Sequence, residues 1–188
     1  MDSTIFSALI PEASATMRSA VSTTLERFGD GPLAFAVERG VTIRILDHGE
    51  RYADASAALT RLGIDVDAWP VPPGGLFVVE ERTVYLRSQS PMTVAHEFGH
   101  ALDCALGGGV YRSGIDPAIR KAFSGARSFI TPYAATGLDE YFAEAVRAYV
   151  ECNDPASAWP AVSRERLRTI DGAMYAIVEQ IFEQLGDG

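Results

Sequence analysis

Hydrophobic positions along the chain predict helices, then a small sheet, then more helices. In residues 12–28, Met17, Val21 and Leu25 recur at helical spacing, and Gly29 follows as a stop. Residues 52–62 form a second predicted helix, which Gly63 closes. Four further helices are predicted over residues 92–106, 117–123 (capped by Asp116), 138–151 and 163–185, the last loosened at Gly172.

Three short segments have the β-branched and alternating pattern of strands. VTIRIL at 41–46 is the first, and LFVVE at 76–80 and TVYLR at 83–87 form a hairpin joined through 80–82. PVPPGG at 70–75 is typical of a stiff linker. The order predicts an α+β fold with a small mixed sheet. We expect a single domain over 1–188, with N-terminal helices and sheet in 1–90, central helices in 91–152 and a C-terminal helix in 163–185.

The net charge, the hydropathy and the N-terminal segment narrow the classes of partner that we expect. The formal net charge is -9 and no basic run occurs, so a nucleic acid partner is not expected. No stretch approaches the roughly 20 apolar residues that cross a bilayer, so no membrane partner is expected either. The N-terminal segment lacks the charged start and apolar run of a secretory signal, because Pro11, Glu12 and several Ser and Thr interrupt it.

The histidines carry the chemistry of this sequence. Two of the chain's three histidines, His96 and His100, form HExxH with Glu97 inside a predicted helix. Imidazoles at i and i+4 share a helical face and can hold one Zn²⁺, and the intervening glutamate can reach a zinc-activated water. We therefore expect one zinc ion per chain. His48 lies in a predicted turn and is interpreted as a surface residue.

A catalytic zinc needs a third protein ligand, and the predicted helix 138–151 offers two carboxylates. Glu140 and Glu144 lie one turn apart on one face. We assign Glu140 as the ligand and Glu144 as a hydrogen-bond partner of a ligating histidine, with His96 preferred. Asp103 lies three residues after His100, and two interpretations stay open: it orients that imidazole, or it is an exposed helix residue.

The two motifs together resemble a known protease family. TVAHEFGHALD followed by TPYAATGLDEYFAEAVRAY, roughly residues 93–149, is similar to the metalloproteases that include the anthrax lethal factor catalytic domain and the Pro-Pro endopeptidases. The resemblance implies a zincin fold, zinc held by His96, His100 and Glu140, and Glu97 as general base. It also implies that Tyr133, seven residues before Glu140, stabilises the oxyanion.

The resemblance further implies a substrate and a place of action. An edge strand of a zincin sheet holds an extended peptide, which points to Val84, Tyr85 and Leu86 as the substrate-binding strand. The function implied is a zinc endopeptidase acting on a peptide or protein substrate, as a secreted toxin or effector or as a Pro-Pro-cleaving protease. It also implies delivery outside the producing cell, with a cytoplasmic location as the alternative.

Two other functions remain open from the sequence. One is a cytoplasmic regulatory protease of the repressor-cleaving type, which also pairs HExxH with a downstream glutamate helix. The other is a zincin scaffold that binds a partner without turnover.

The two cysteines are predicted to be free thiols. If Glu144 meets His96, the two helices run antiparallel and place the Cα atoms of Cys104 and Cys152 roughly 24 Å apart. A disulfide requires less than about 7 Å.

Overall fold

The computed structural model describes residues 3–186, so the outermost two residues of the predicted domain at each end lie outside the described part. The described residues form an α+β fold that is mostly helical, with a three-stranded mixed sheet. The strands are β1 (Thr42–Ile45), β2 (Gly75–Val78) and β3 (Thr83–Leu86). The helices are α1 (Ser3–Leu9), α2 (Ala15–Leu25), α3 (Asp30–Glu38), α4 (Tyr52–Ala55), α5 (Ala57–Leu62), α6 (Pro91–Leu106), α7 (Arg112–Ile115), α8 (Pro117–Gly125), α9 (Leu138–Tyr149), α10 (Arg164–Ile170) and α11 (Gly172–Gly186).

β3 is the central strand of the sheet. It pairs in parallel with β1, with Ile43 opposite Val84, and antiparallel with β2, with Phe77 opposite Val84. The predicted β2–β3 hairpin is confirmed. The prediction that Val84, Tyr85 and Leu86 form a substrate-binding edge is wrong, because both sides of β3 are already paired. The free edge next to α6 belongs to β2, within the described sheet.

Helices α6 and α9 form the centre of the fold. Ser90 caps α6, accepting a hydrogen bond from the Thr93 N–H, and Pro91 occupies its first turn. The two helices are in close contact at Gly99, where an added Cβ would lie 3.0 Å from the Cα of Ala143. A residue larger than glycine would separate the two helices. Both helices are almost wholly buried over their central turns.

The N-terminal region contains two helices that the pattern did not predict. α2 begins later than predicted, at Ala15, because the Ser14 side chain accepts from the Met17 N–H and caps the helix there. α1 and α3 were missed. Gly31 and Pro32 make the start of α3 resemble a loop in sequence, yet Gly31 packs against the C-terminal helix so closely that a Cβ there would overlap the Leu185 carbonyl oxygen.

Two predicted helices are each divided at a polar residue, and the second division lies beside Gly172, where that helix was predicted to be loosened. Ser56 is extended and caps α5 through the Leu59 N–H, which separates α4 from α5. Asp171 separates α10 from α11, where its carboxylate accepts from the Tyr141 hydroxyl and from the Met174 N–H. The short α7 was also absent from the predicted elements.

Most buried apolar side chains form one cluster around α6 and α9, with a smaller one between α4, α5 and the outer face of the sheet. Cys104 and Cys152 are buried in the main cluster as free thiols, as predicted. Among residues 3–186, none of the helices has the length and hydrophobicity needed to cross a membrane.

Candidate active site

Three predicted metal ligands converge where α6 crosses α9. The Nε2 atoms of His96 and His100 are 3.1 Å apart, and Glu140 Oε2 lies 3.0 Å and 3.3 Å from them. Ligands about 2.0–2.2 Å from a tetrahedral zinc ion lie roughly 3.3–3.5 Å from one another. The three separations are close to or slightly below these values, so these N, N and O atoms form a group that could hold a metal ion.

The burial and the hydrogen bonding of these atoms also favour a bound cation. Glu140 Oε2 is buried and has no hydrogen-bond partner in the described residues, although two imidazoles lie beside it. His96 directs Nδ1 at Glu144 Oε1, 2.9 Å away, so the neutral imidazole with its proton on Nδ1 would present its Nε2 lone pair to a metal ion. A cation at the meeting point would bind Glu140 Oε2 and the Nε2 lone pairs of the two neutral imidazoles, in place of any proton held there.

The electrostatics of the cluster favour positive charge. Burial lowers the pKa of His96, but the adjacent carboxylates of Glu140 and Glu144 outweigh this effect and raise it to about 10. Burial raises the pKa of Glu144, and its contacts with His96 and Arg147 reverse that effect and lower it to about 2. Burial likewise raises the pKa of Glu140, but the two imidazoles hold it well below its usual range. Both carboxylates are therefore ionised at neutral pH.

Glu97 lies on α6 between the two histidines and faces β2. Burial raises the pKa of its carboxyl, and the imidazoles and a hydrogen bond from the backbone of Phe77 offset part of the rise. Gly75 of β2 makes room for it: an added Cβ would lie 2.5 Å from Glu97 Cγ. The missing side chain at position 75 thus allows the carboxylate to sit beside the edge strand.

Tyr133 lies in a short 3-10 helix, Tyr133–Ala135, that precedes α9. Its hydroxyl donates to Glu140 Oε1 at 2.9 Å, and its ring centroid lies 5.5 Å from that of His96. Burial of the ring and the charge of Glu140 raise its pKa, so the phenol keeps its proton at neutral pH. The structure therefore places a hydrogen-bond donor at the mouth of the site.

These side chains open onto a cleft of about 450 Å³. Its walls include several residues that the sequence did not single out: Trp69, Pro73, Gly74, Gly75, Leu76, Phe77, Tyr111, Asp139 and Trp159. The PVPPGG segment, interpreted as a linker, forms part of the rim and leads into β2. The sequence offers no pattern that would place the two tryptophans at the cleft. Trp69 lies well before the HExxH motif, and Trp159 lies well after the glutamate helix.

Two predicted residues lie elsewhere in the structure. Asp103 accepts from both the backbone N–H and the hydroxyl of Ser113, at 2.8 Å and 2.5 Å, and no hydrogen bond within the described residues joins it to His100. It is fully buried, so its interpretation as an exposed residue is wrong. The hydroxyl of Tyr85 donates to Glu81 at 2.7 Å on the face away from α6, which is a structural role.

The described chain has the fold of a solved endopeptidase. That structure is the Pro-Pro endopeptidase PPEP-2 from Paenibacillus alvei, which is 20% identical. The match covers 94% of this chain and 99% of that chain, with a TM-score of 0.66. No protein-family model matches the sequence, and no curated protein matches it.

Proposed function

We propose that this protein is a zinc-dependent endopeptidase. The observation that carries the proposal is the convergence of His96, His100 and Glu140 beside Glu97, at the floor of a cleft bordered by a free strand edge. The shared fold with an endopeptidase supports it independently. The resemblance of the motifs to lethal factor stays a prediction.

Bound zinc, Glu97 and Tyr133 would each contribute a different part of the proposed peptide hydrolysis. Bound zinc would act as a Lewis acid toward water and the scissile carbonyl. Glu97, a buried carboxylate with a raised pKa, is suited to take a proton from the attacking water and give it to the leaving amine. Tyr133 keeps its phenolic proton and can donate it in a hydrogen bond to the developing oxyanion.

The substrate would bind as an extended peptide along β2. Gly74, Gly75, Leu76 and Phe77 border the cleft, and the outer edge of this strand is available for backbone pairing. This assigns to β2 the role that the sequence suggested for β3.

Exposed aromatic rings around the cleft favour proline-containing peptides. Trp69, Tyr133 and Trp159 retain 52%, 41% and 43% exposure, and the ring centroids of Tyr133 and Trp159 lie 6.4 Å apart, so the cleft presents a group of exposed aromatic rings. Aromatic walls commonly bind proline-rich segments. The neighbouring fold belongs to a Pro-Pro endopeptidase, so we include Pro-Pro cleavage in the proposal.

The test is Glu97→Gln, with Glu165→Gln as a control because Glu165 is exposed on α10. Glu97→Gln should retain one zinc per chain by metal analysis and lose at least about 100-fold in cleavage of a peptide library. Glu165→Gln should match the wild type in both measurements.

Each contrary result would reject a different part of the proposal. Undiminished cleavage by Glu97→Gln would remove the general base from the mechanism, and an active protein without zinc would refute the zinc dependence. Zinc binding without cleavage of any peptide would favour the scaffold function. Cleavage sites without proline would refute only the Pro-Pro preference.

Action outside the producing cell is part of the proposal only through the family resemblance, with a cytoplasmic location as its alternative. Fractionation of the native host, with detection of the protein in medium or cytoplasm, decides between them.

A further inference from the structure

The Glu144 carboxylate is the centre of a buried hydrogen-bond network. Its Oε1 accepts from His96 Nδ1 and Arg147 Nε, each at 2.9 Å. Its Oε2 accepts from Arg147 at 3.0 Å and from the Thr131 hydroxyl at 2.7 Å. An ionised carboxylate offers about four lone-pair sites. All of them are used, so each partner has a defined position.

Thr131 links this centre to the turn that carries Tyr133. Its hydroxyl gives its single proton to Glu144 and accepts from the Ala134 N–H at 3.2 Å. Ala134 follows Tyr133 in the 3-10 helix, and both Thr131 and Ala134 are buried. A hydroxyl has one donor, so the direction of this chain of bonds is determined.

From these contacts we infer that Thr131 is a positioning residue for both halves of the site. It connects the turn bearing Tyr133 to the carboxylate that orients His96, so one network places the phenol and a metal ligand together. The inference rests on the proposed function, in which His96 binds zinc and Tyr133 acts on the substrate.

Removing the Thr131 hydroxyl should displace the turn that carries Tyr133 more than it displaces His96. Thr131→Val keeps the shape of the side chain but leaves the Ala134 N–H without an acceptor and Glu144 with one fewer donor. Arg147 still holds Glu144 by two bonds, so the metal ligand should shift less than the turn. We expect zinc affinity to fall about 10-fold, the low end of the range for outer hydrogen-bond partners of metal ligands.

The first measurement is zinc affinity by chelator competition. Thr131→Val should lose about 10-fold, and Thr131→Ser, which keeps the hydroxyl, should stay within about 3-fold of the wild type. Thr136→Val is the matched control, because its hydroxyl bonds only the Tyr133 carbonyl among the described residues and is exposed. Unchanged affinity in Thr131→Val, or equal losses in both valine variants, would overturn the inference. If Thr131→Val does not fold, Thr131→Ala replaces it.

The second measurement is a double-mutant cycle with Tyr133→Phe at saturating zinc. Thr131→Val should lower kcat about 10-fold in the wild type, by displacing the phenol, with little change in KM. In the Tyr133→Phe background it should lower kcat less than about 2-fold. Equal effects in both backgrounds would refute the link through Tyr133.

A third measurement separates failure of this inference from failure of the proposed function. In the zinc-free protein, the His96 Nδ1 proton bound to Glu144 should exchange with solvent at least about 10-fold faster in Thr131→Val than in the wild type or Thr131→Ser. If the wild type binds no zinc, the zinc proposal fails while this exchange still tests the network. If zinc binds and exchange is unchanged, the network proposal fails alone.

Discussion

Gly75→Ala tests whether the edge strand positions Glu97, the proposed general base. The added Cβ would lie 2.5 Å from Cγ and 3.1 Å from Cδ of Glu97, and 2.9 Å from Cγ2 of Thr93. Carbon atoms normally approach to about 3.5–4.0 Å, so the carboxylate and the strand must move apart by about 1 Å. A misplacement of about 1 Å can cost about 100-fold in rate, or roughly 2.7 kcal/mol in activation free energy.

The assay is steady-state cleavage of a peptide substrate beside a zinc titration. Gly75→Ala should lower kcat/KM about 100-fold and leave zinc affinity within about 3-fold, because the three atoms nearest to the added Cβ belong to Glu97 and Thr93 and not to the proposed ligands. Gly125→Ala is the control, because no atom lies within 4 Å of its added Cβ and Gly125 is exposed on α8, away from the cleft-lining residues. Gly75→Ala with nearly wild-type kcat/KM would refute the role assigned to this close approach.

Two further predictions concern helix α6. Burial raises the pKa of Asp103 to about 6 against the opposing bonds from Ser113, so the folded protein holds this proton more tightly than the unfolded chain. The free energy of unfolding should therefore fall by about 3 kcal/mol as pH rises from about 4 to above 6, and Asp103→Asn should remove this part of the dependence in urea titrations of the zinc-free protein. Gly99→Ala should lower the free energy of unfolding by about 1–3 kcal/mol and weaken zinc binding, because its Cβ would press α9 away from α6. Gly114→Ala, with open space around it, is its control, and equal urea midpoints for the two variants would contradict the close packing of α6 on α9.

The local part of the site was predictable from the sequence. His96 and His100 share a face because the helical repeat requires it, and the same repeat places Glu140 and Glu144 one turn apart. The structure adds the crossing at Gly99, which brings these two faces together. The assignment of Glu144 to His96 agrees with the 2.9 Å contact.

The incorrect predictions concern features that are set by contacts between distant segments of the chain. The order of strands in the sheet is set by pairing, and a buried run such as TVYL fits a central strand at least as well as an edge. Asp103 was placed by its distance from His100 along the helix, but Ser113, on the following helix, bonds both of its oxygens. Arg147 and Thr131 lie on different elements, and only the fold shows that one carboxylate joins them.

The crossing of α6 and α9 has a consequence for newly made chains. Two of the proposed ligands come from α6, and the third comes from α9, which is synthesised only after α7 and α8. A chain that has formed α6 but not yet docked α9 holds an incomplete ligand set and lacks the turn bearing Tyr133. Under the proposed function, hydrolytic competence would then appear only after tertiary assembly, so nascent or misfolded copies would not cleave peptides.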